Sequence, residues 1–252
     1  MRARLVATLV AAAAIGSACG PPQGPSPSGP SATITVFAAS SLTAAFTAIG
    51  DDFQKAHPGD MVTFSFGGSS MLVAQIQQGA IGDVFASADQ PNMQKLVDAG
   101  LTAETPRVFA RNRLEIVVAA GNPKHISSLS DLSLSGLVVV LCAPAVPCGR
   151  YAAQALQKGG VTVKPASLEA DVKAVLSKVA LGEADAGIVY ATDVKAATGV
   201  EGVPIPAGLN VVADYPIAVL KDSPSAALAR AFVDDVLVNG QRPLARYGFT
   251  SP

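Results

Sequence analysis

Along the chain, segments whose apolar residues are typical of β-strands alternate with segments whose apolar residues have helical spacing. Residues 33–38 are rich in β-branched and aromatic side chains, which predicts a strand. The residues that follow have apolar side chains at helical spacing, which predicts a helix ending near His57 and Pro58. Further strands are predicted at 61–66, 81–86, 114–119, 137–142, 186–190, 210–213 and 215–220, and further helices at 71–78, 92–99, 151–158, 171–180 and 225–237. Alternation of strands and helices predicts an α/β protein with largely parallel sheets.

The pattern restarts after residue 110, which indicates two α/β blocks rather than one continuous sheet. Seams are predicted near residues 109–112 and 214–216. We therefore expect one lobe from residues 32–110 plus 215–252 and a second lobe from residues 111–214.

The beginning of the chain differs from the rest. Residues 1–18 contain Arg2 and Arg4, a short apolar run and then small residues, which is typical of a secretory signal peptide. The run Gly16-Ser17-Ala18-Cys19 resembles a lipobox with Gly at the first position, which predicts a lipid on Cys19; the alternative is an ordinary secretory signal. Residues 19–31 then form a Pro-, Gly- and Ser-rich stretch, predicted to be a disordered tether to the outer face of the cell membrane.

Composition excludes some functions. The net charge is −1, and Lys and Arg form no basic stripe, so nucleic acid is not expected as a partner. The two histidines, His57 and His125, stand in neither an HExxH nor a CxxC context, which gives no support to a zinc site. Cys142 and Cys148 are six residues apart in an exported chain and are predicted to form a disulfide; two buried free thiols are the alternative.

Small or hydroxyl residues join a strand to a helix start at four places. These are Ser40-Ser41, Ser69-Ser70, residues 147–149, and the stretch leading to Asp171. Each helix start leaves unpaired N–H groups and partial positive charge, so several starts brought together would bind an anion without a charged side chain. Each serine alone is more simply a helix cap.

Five segments, in this order, resemble the molybdate-binding proteins of bacterial ABC importers. They are ITVFAASSLTAAF, FGGSSMLVAQIQQGAIGDVFASAD, GRYAAQAL, ADAGIVYATD and ARYGF. The resemblance implies a two-lobed periplasmic-binding-protein fold of type II, with each lobe a mostly parallel sheet flanked by helices. It implies a monomer that takes molybdate and tungstate, uses no cofactor, and delivers its ligand to an ABC permease and its ATPase.

The resemblance also assigns a binding site. It implies hydroxyl donors from Ser41, Ser69 and Tyr190, with Ser70 as an alternative to Ser69, and backbone N–H donors from Cys148 and Val172. No protein atom would bond the metal directly. Arg150 is expected on the solvent side of its helix, and Asp83, Asp89, Asp171 and Asp185 are expected to cap helices and join segments.

Three other functions fit parts of the pattern. The first is a binder of the same fold for sulfate or another small solute, because a fold does not fix a ligand. The second is a serine hydrolase, although FAASSL and GGSSML lack the GxSxG turn and no histidine lies near them. The third is a surface adhesion protein. We expect a binding protein and not an enzyme.

Overall fold

The computed structural model describes residues 31–252, and the predicted signal peptide and Cys19 lie outside them. Nine strands are present in this part of the chain: β1 Thr33–Ala39, β2 Met61–Gly67, β3 Val84–Ala86, β4 Arg107–Ala119, β5 Val139–Cys142, β6 Ser167–Glu169, β7 Ala186–Tyr190, β8 Val200–Pro204 and β9 Val212–Val219. Eight α-helices accompany them: α1 Thr43–Ala56, α2 Ser69–Gln77, α3 Gln90–Asp98, α4 Pro147–Lys158, α5 Val172–Ala180, α6 Ala191–Ala196, α7 Ala226–Val238 and α8 Gln241–Arg246. Two 3₁₀ turns span Ser40–Leu42 and Leu129–Ser133.

The strands run in the order β2-β1-β3-β9-β4-β7-β5-β6. Strand β8 pairs with residues 115–119 of β4, on the edge opposite to β7. The pairs β1–β2, β1–β3, β5–β6 and β5–β7 are parallel, as the alternation of strands and helices predicts. The pairs that β4 and β9 make are antiparallel. The α/β fold class is confirmed, with parallel pairing confined to strands away from the middle of the order.

Strand β4 is twice as long as the predicted strand at 114–119, because its two halves belong to different groups of strands. Residues 107–113 pair with β9, and residues 114–119 pair with β7 and β8. We call β2, β1, β3, β9 and the first half of β4 the first sheet. The second half of β4 with β7, β5, β6 and β8 is the second sheet.

Both faces of the first sheet are apolar. Val36 and Ala38 on β1 pack into the main core, whereas Phe37 between them packs with Leu72 and Met93 beneath α2 and α3. A strand buried on both faces reads as a continuous apolar run, which explains the run from Val36 to Ala39. The main core continues through β4 into the second sheet.

Four aspartates cap helices and join segments, as the sequence predicts, and two of them, Asp83 and Asp89, are buried. Asp89 accepts the Asn92 N–H at 3.0 Å and caps α3, and Asp171 accepts the Ala174 N–H at 3.0 Å and caps α5. Asp83 accepts the N–H of Thr35 at 2.7 Å, and Asp185 accepts the N–H of Val138 at 2.8 Å. Within residues 31–252, every helix is too short or too polar to cross a bilayer.

Gly187 on β7 provides a test of how tightly the second sheet is packed. A Cβ there would lie 2.5 Å from Val175 Cγ1 and 2.9 Å from the Val140 carbonyl oxygen. We expect Gly187→Ala to lower the free energy of unfolding by about 1–3 kcal/mol, because the added methyl group has no room. Urea denaturation measures the change, and Gly208→Ala is the control, since its Cβ would meet nothing within 4 Å. Equal stability of the two variants would contradict this account of the packing.

Candidate functional site

Ser41 lies in the 3₁₀ turn that follows β1. The strand ends at Ala39, and the turn Ser40–Leu42 is buried in front of α1. The Ser41 Oγ lies 2.9 Å from the Tyr215 Oη, a hydrogen bond between residues 174 positions apart in the chain. The Ser41 hydroxyl is therefore held by a residue of β9 at the point where β1 ends.

Ser69 is the first residue of α2 and is 1% exposed. Its Oγ accepts a hydrogen bond from the Ala88 N–H at 3.0 Å, so the hydroxyl hydrogen is left to donate elsewhere. The preceding Gly68 lies against the loop between β6 and α5, since a Cβ there would lie 2.4 Å from the Ala170 carbonyl oxygen. Glycine at this position lets the two backbones approach.

Cys148 lies in the first turn of α4, next to the end of β5. Its sulfur is bonded to that of Cys142, with the two Cα atoms 5.8 Å apart. A Cβ on Gly149 would lie 2.2 Å from the Ala143 carbonyl oxygen, so only glycine lets α4 begin this close to β5. The first N–H groups of α4 are thereby fixed against the strand end.

Val172 and Tyr190 complete the set from the second sheet. Val172 is the first residue of α5, so its N–H has no partner within the helix. Tyr190 ends β7 and is 1% exposed, and its Oη has no hydrogen-bond partner among residues 31–252. Burial raises the pKa of the Tyr190 hydroxyl well above its usual range, so it stays protonated as a donor.

All five residues line a single small cavity. Its other lining residues are Ala39, Ser40, Gly67, Gly68, Ala88, Val146 and Pro147. None of the twelve carries a charge. The cavity is small, with a volume of about 10 Å³. Ser69 is part of the lining and Ser70 is not. A buried site lined with N–H and O–H donors can hold an anion that accepts hydrogen bonds.

Arg150 differs from its predicted place. It was expected on the solvent side of α4, but its guanidinium forms an ion pair with the Asp89 carboxylate, which is fully buried. Burial raises the pKa of the Asp89 carboxyl, and the Arg150 charge and the Asn92 N–H oppose that rise. The pair joins the start of α4 to the start of α3 and leaves the neighbourhood of the cavity with balanced charge.

Two polar residues behind Ser41 were missed by the sequence analysis. Tyr215 is fully buried, and its Oη also lies 3.4 Å from the Asn112 Nδ2. Asn112 is 4% exposed on β4, within a predicted seam. No signal in the sequence marked Asn112, because it stands in the polar run Arg111-Asn112-Arg113 ahead of the predicted strand at 114–119.

Comparison with known proteins identifies the family. A family model described as bacterial extracellular solute-binding protein matches residues 34–250. The chain belongs to this family. This solute-binding protein is 47% identical, over 255 residues, to the molybdate-binding protein ModA of Mycobacterium bovis, an alignment that covers 99% of this chain and 95% of that one.

Two solved structures share its fold. The periplasmic molybdate-binding protein of Azotobacter vinelandii superposes with a TM-score of 0.76 at 22% identity, covering 87% of this chain and 99% of that one. The sulfate-binding protein SubI of Mycobacterium tuberculosis gives a TM-score of 0.77 at 22% identity, covering 87% of each chain. The family resemblance and the binding-protein fold predicted from the sequence are confirmed.

The Asp89–Arg150 pair should be important for stability. We expect Arg150→Met to lower the free energy of unfolding by roughly 2–4 kcal/mol near neutral pH, because it leaves a buried carboxylate without its cation. Loss of Arg150 removes an influence that lowers the Asp89 pKa. That pKa should therefore rise further, and the loss of stability should shrink as the pH falls through it. Urea denaturation across a pH series measures both effects.

Two control variants test whether the unpaired charge of Asp89 causes the loss of stability. Adding Asp89→Asn to Arg150→Met should restore most of the stability, since Asn keeps the cap but carries no charge. Lys55→Met breaks an ion pair whose side chains are 75% and 64% exposed, and it should change stability little. If Arg150→Met were as mild as Lys55→Met, the pair would not have the role described.

Proposed function

We propose that this protein captures molybdate in the cavity and delivers it to an ABC importer. The observation that carries the proposal is the meeting of Ser41, Ser69, Cys148, Val172 and Tyr190 around one small uncharged cavity. The relative from Mycobacterium bovis, which is similar along its whole length, is named a molybdate-binding protein. Tungstate has the same shape and charge and is proposed as a second ligand.

Neutral donors suit this class of ion. Molybdate and tungstate are fully deprotonated near neutral pH, so they accept hydrogen bonds and donate none. Phosphate usually retains a proton, which would remain unpaired in a cavity of donors at a cost of about 1–3 kcal/mol. Sulfate also lacks a proton, so we propose that the size of the cavity discriminates against it.

Capture needs an entrance, and the strand pairing supports a hinge. We propose that residues 32–110 with 215–252 form one lobe and residues 111–214 the other. Strands β4 and β9 run between them, because β4 changes partners after Arg113. The contact of Gly68 with Ala170 would form when the lobes close. Closure removes water and strengthens each donor contact.

The remaining parts of the proposal concern the setting. Residues 1–18 would direct export, and a lipid on Cys19 with the tether of residues 19–31 would hold a monomer near the permease and its ATPase at the outer face of the membrane. We propose that the Cys142–Cys148 bond forms in the exported protein and fixes the Cys148 turn.

We propose binding rather than catalysis, and the hydrogen bonds favour this choice. Among residues 31–252, the Ser41 and Ser69 hydroxyls pair with Tyr215 and the Ala88 N–H, and neither pairs with a histidine. His57 instead stacks on Phe53, with the ring centroids 4.1 Å apart. A serine nucleophile needs a base within hydrogen-bond reach.

Calorimetric titration of residues 32–252 with molybdate, tungstate, sulfate and phosphate tests the ligand. We expect tight one-to-one binding of the two metal oxyanions and binding at least a hundredfold weaker for sulfate and phosphate. Tight binding should also raise the melting temperature with ligand concentration. Preference for sulfate, or for an organic solute with no response to either metal oxyanion, would overturn the proposal.

Tyr190→Phe separates ligand binding from packing. The ring stays in place and only the hydroxyl is lost, so we expect molybdate affinity to fall at least tenfold, the size of one hydrogen bond to a charged group. The free energy of unfolding without ligand should stay the same or rise, since the variant no longer buries an unpaired hydroxyl. Calorimetry and urea denaturation measure the two quantities.

Tyr247→Phe is the control for this change. Tyr247 lies at the end of α8, outside the cavity lining, and its variant should bind molybdate as the native protein does. Native affinity in Tyr190→Phe would remove Tyr190 from the proposed site.

A further inference from the structure

We propose that Tyr215 is a positioning residue that turns the Ser41 hydroxyl hydrogen toward the bound anion. This inference rests on the proposed function, because it concerns the direction of a hydrogen bond to the oxyanion. Tyr215 itself is not among the residues that line the cavity. It would act only through Ser41.

The argument begins with an ambiguity between two hydroxyls. Ser41 Oγ and Tyr215 Oη are 2.9 Å apart, and either oxygen can be the donor. If Ser41 donated to Tyr215, it would present only lone pairs to the cavity and repel an anion. If Tyr215 donates to Ser41, the serine hydrogen is free for the ligand.

Asn112 decides the direction. Its side-chain oxygen accepts the N–H of Arg113 at 2.9 Å, which fixes the amide so that Nδ2 points the other way. Nδ2 then donates to Thr192 Oγ1 at 2.7 Å and lies 3.4 Å from Tyr215 Oη. Because Nδ2 can only donate, Tyr215 accepts on that side. Among residues 31–252 the only acceptor within reach of the Tyr215 hydrogen is then Ser41 Oγ, so an unpaired buried phenol hydrogen is avoided only if Tyr215 donates to Ser41.

Because these groups are buried, water cannot compete for their hydrogen bonds or reverse the donor and acceptor roles. Tyr215 is 0% exposed, Thr192 3% and Asn112 4%. Hydrogen bonds in such surroundings are strong and polarise one another along a chain. Burial, helped by the nearby Asp193 carboxylate, raises the pKa of Tyr215 against the lowering effect of the Ser41 and Asn112 contacts, so the phenol keeps the proton that it must donate.

The placement of these groups joins the site to the crossing strands. Asn112 is on β4 and Tyr215 on β9, beside the position where β4 passes from the first sheet to the second. Thr192 is on α6, which follows β7 in the second sheet. The direction of a donor at the end of β1 is therefore set by residues of the segments that join the two sheets.

A double-mutant cycle tests the inference, with molybdate as the probe in calorimetry. We expect Tyr215→Phe to weaken binding about tenfold and Ser41→Ala to weaken it more. In the Ser41→Ala background, adding Tyr215→Phe should change affinity less than twofold, because no hydroxyl remains to be oriented. Tyr247→Phe again serves as the control and should leave affinity unchanged.

The cycle distinguishes positioning from general packing. A loss on Tyr215→Phe that is the same with and without Ser41 would overturn the inference, as would native affinity in Tyr215→Phe. If Tyr215→Phe fails to fold, Asn112→Ala replaces it and should show a loss of several-fold that disappears with Ser41→Ala. If the native protein binds molybdate and affinity falls in Ser41→Ala but not in Tyr215→Phe, this inference alone is refuted. If the native protein binds no oxyanion, the proposed function is refuted as well.

Discussion

The arrangement depends on one constraint, which is that several uncharged donors must point into the same small space without losing their hydrogens to one another. Backbone N–H groups satisfy it through geometry, because a helix that begins directly after a strand has its first amides fixed in direction. The first turns of α4 and α5 supply such amides at Cys148 and Val172. Glycine permits the close approaches that this needs at Gly68 and Gly149, where a Cβ would meet backbone oxygens.

The charges near the cavity form an ion pair, in which Arg150 neutralises Asp89. The Asp89 carboxylate is buried beside Ala88, a lining residue, and would repel an anion if it were alone. Arg150 neutralises it from the opposite group of strands. The electrostatic attraction for an anion then comes from dipoles and hydroxyls rather than from a cation, which suits a ligand that has to be released.

The sequence placed the five candidate residues at strand ends and helix starts, which the structure brings around one cavity, and it missed the contacts that connect distant segments. Ser41, Ser69, Cys148, Val172 and Tyr190 lie at strand ends or helix starts, which periodicity locates, and the family motifs mark the same positions. Tyr215 lies 174 positions from the serine it contacts, and the Arg150–Asp89 pair spans 61 positions. The local periodicity of apolar residues does not predict contacts between such distant positions. The length of β4 was missed for a related reason, because a strand that changes partners midway looks like one strand preceded by a polar stretch.

Hydroxyl donors and amide donors therefore impose different demands on the fold. A backbone N–H can only donate, so its direction is set by the path of the backbone alone. The side chain of the same residue is therefore free to vary. A hydroxyl can donate in either direction, so its hydrogen is directed to the cavity only if its other neighbours donate to it or offer it no acceptor. Ser69 accepts from the Ala88 N–H at 3.0 Å, and in our proposal Ser41 accepts from Tyr215, which in turn accepts from the Asn112 amide. The Tyr190 hydroxyl has no hydrogen-bond partner among the described residues, and Tyr190 lines the cavity from the end of β7. The fold supplies direction to each hydroxyl by different means, and that direction, more than the number of donors, is what an anion that only accepts hydrogen bonds would recognise.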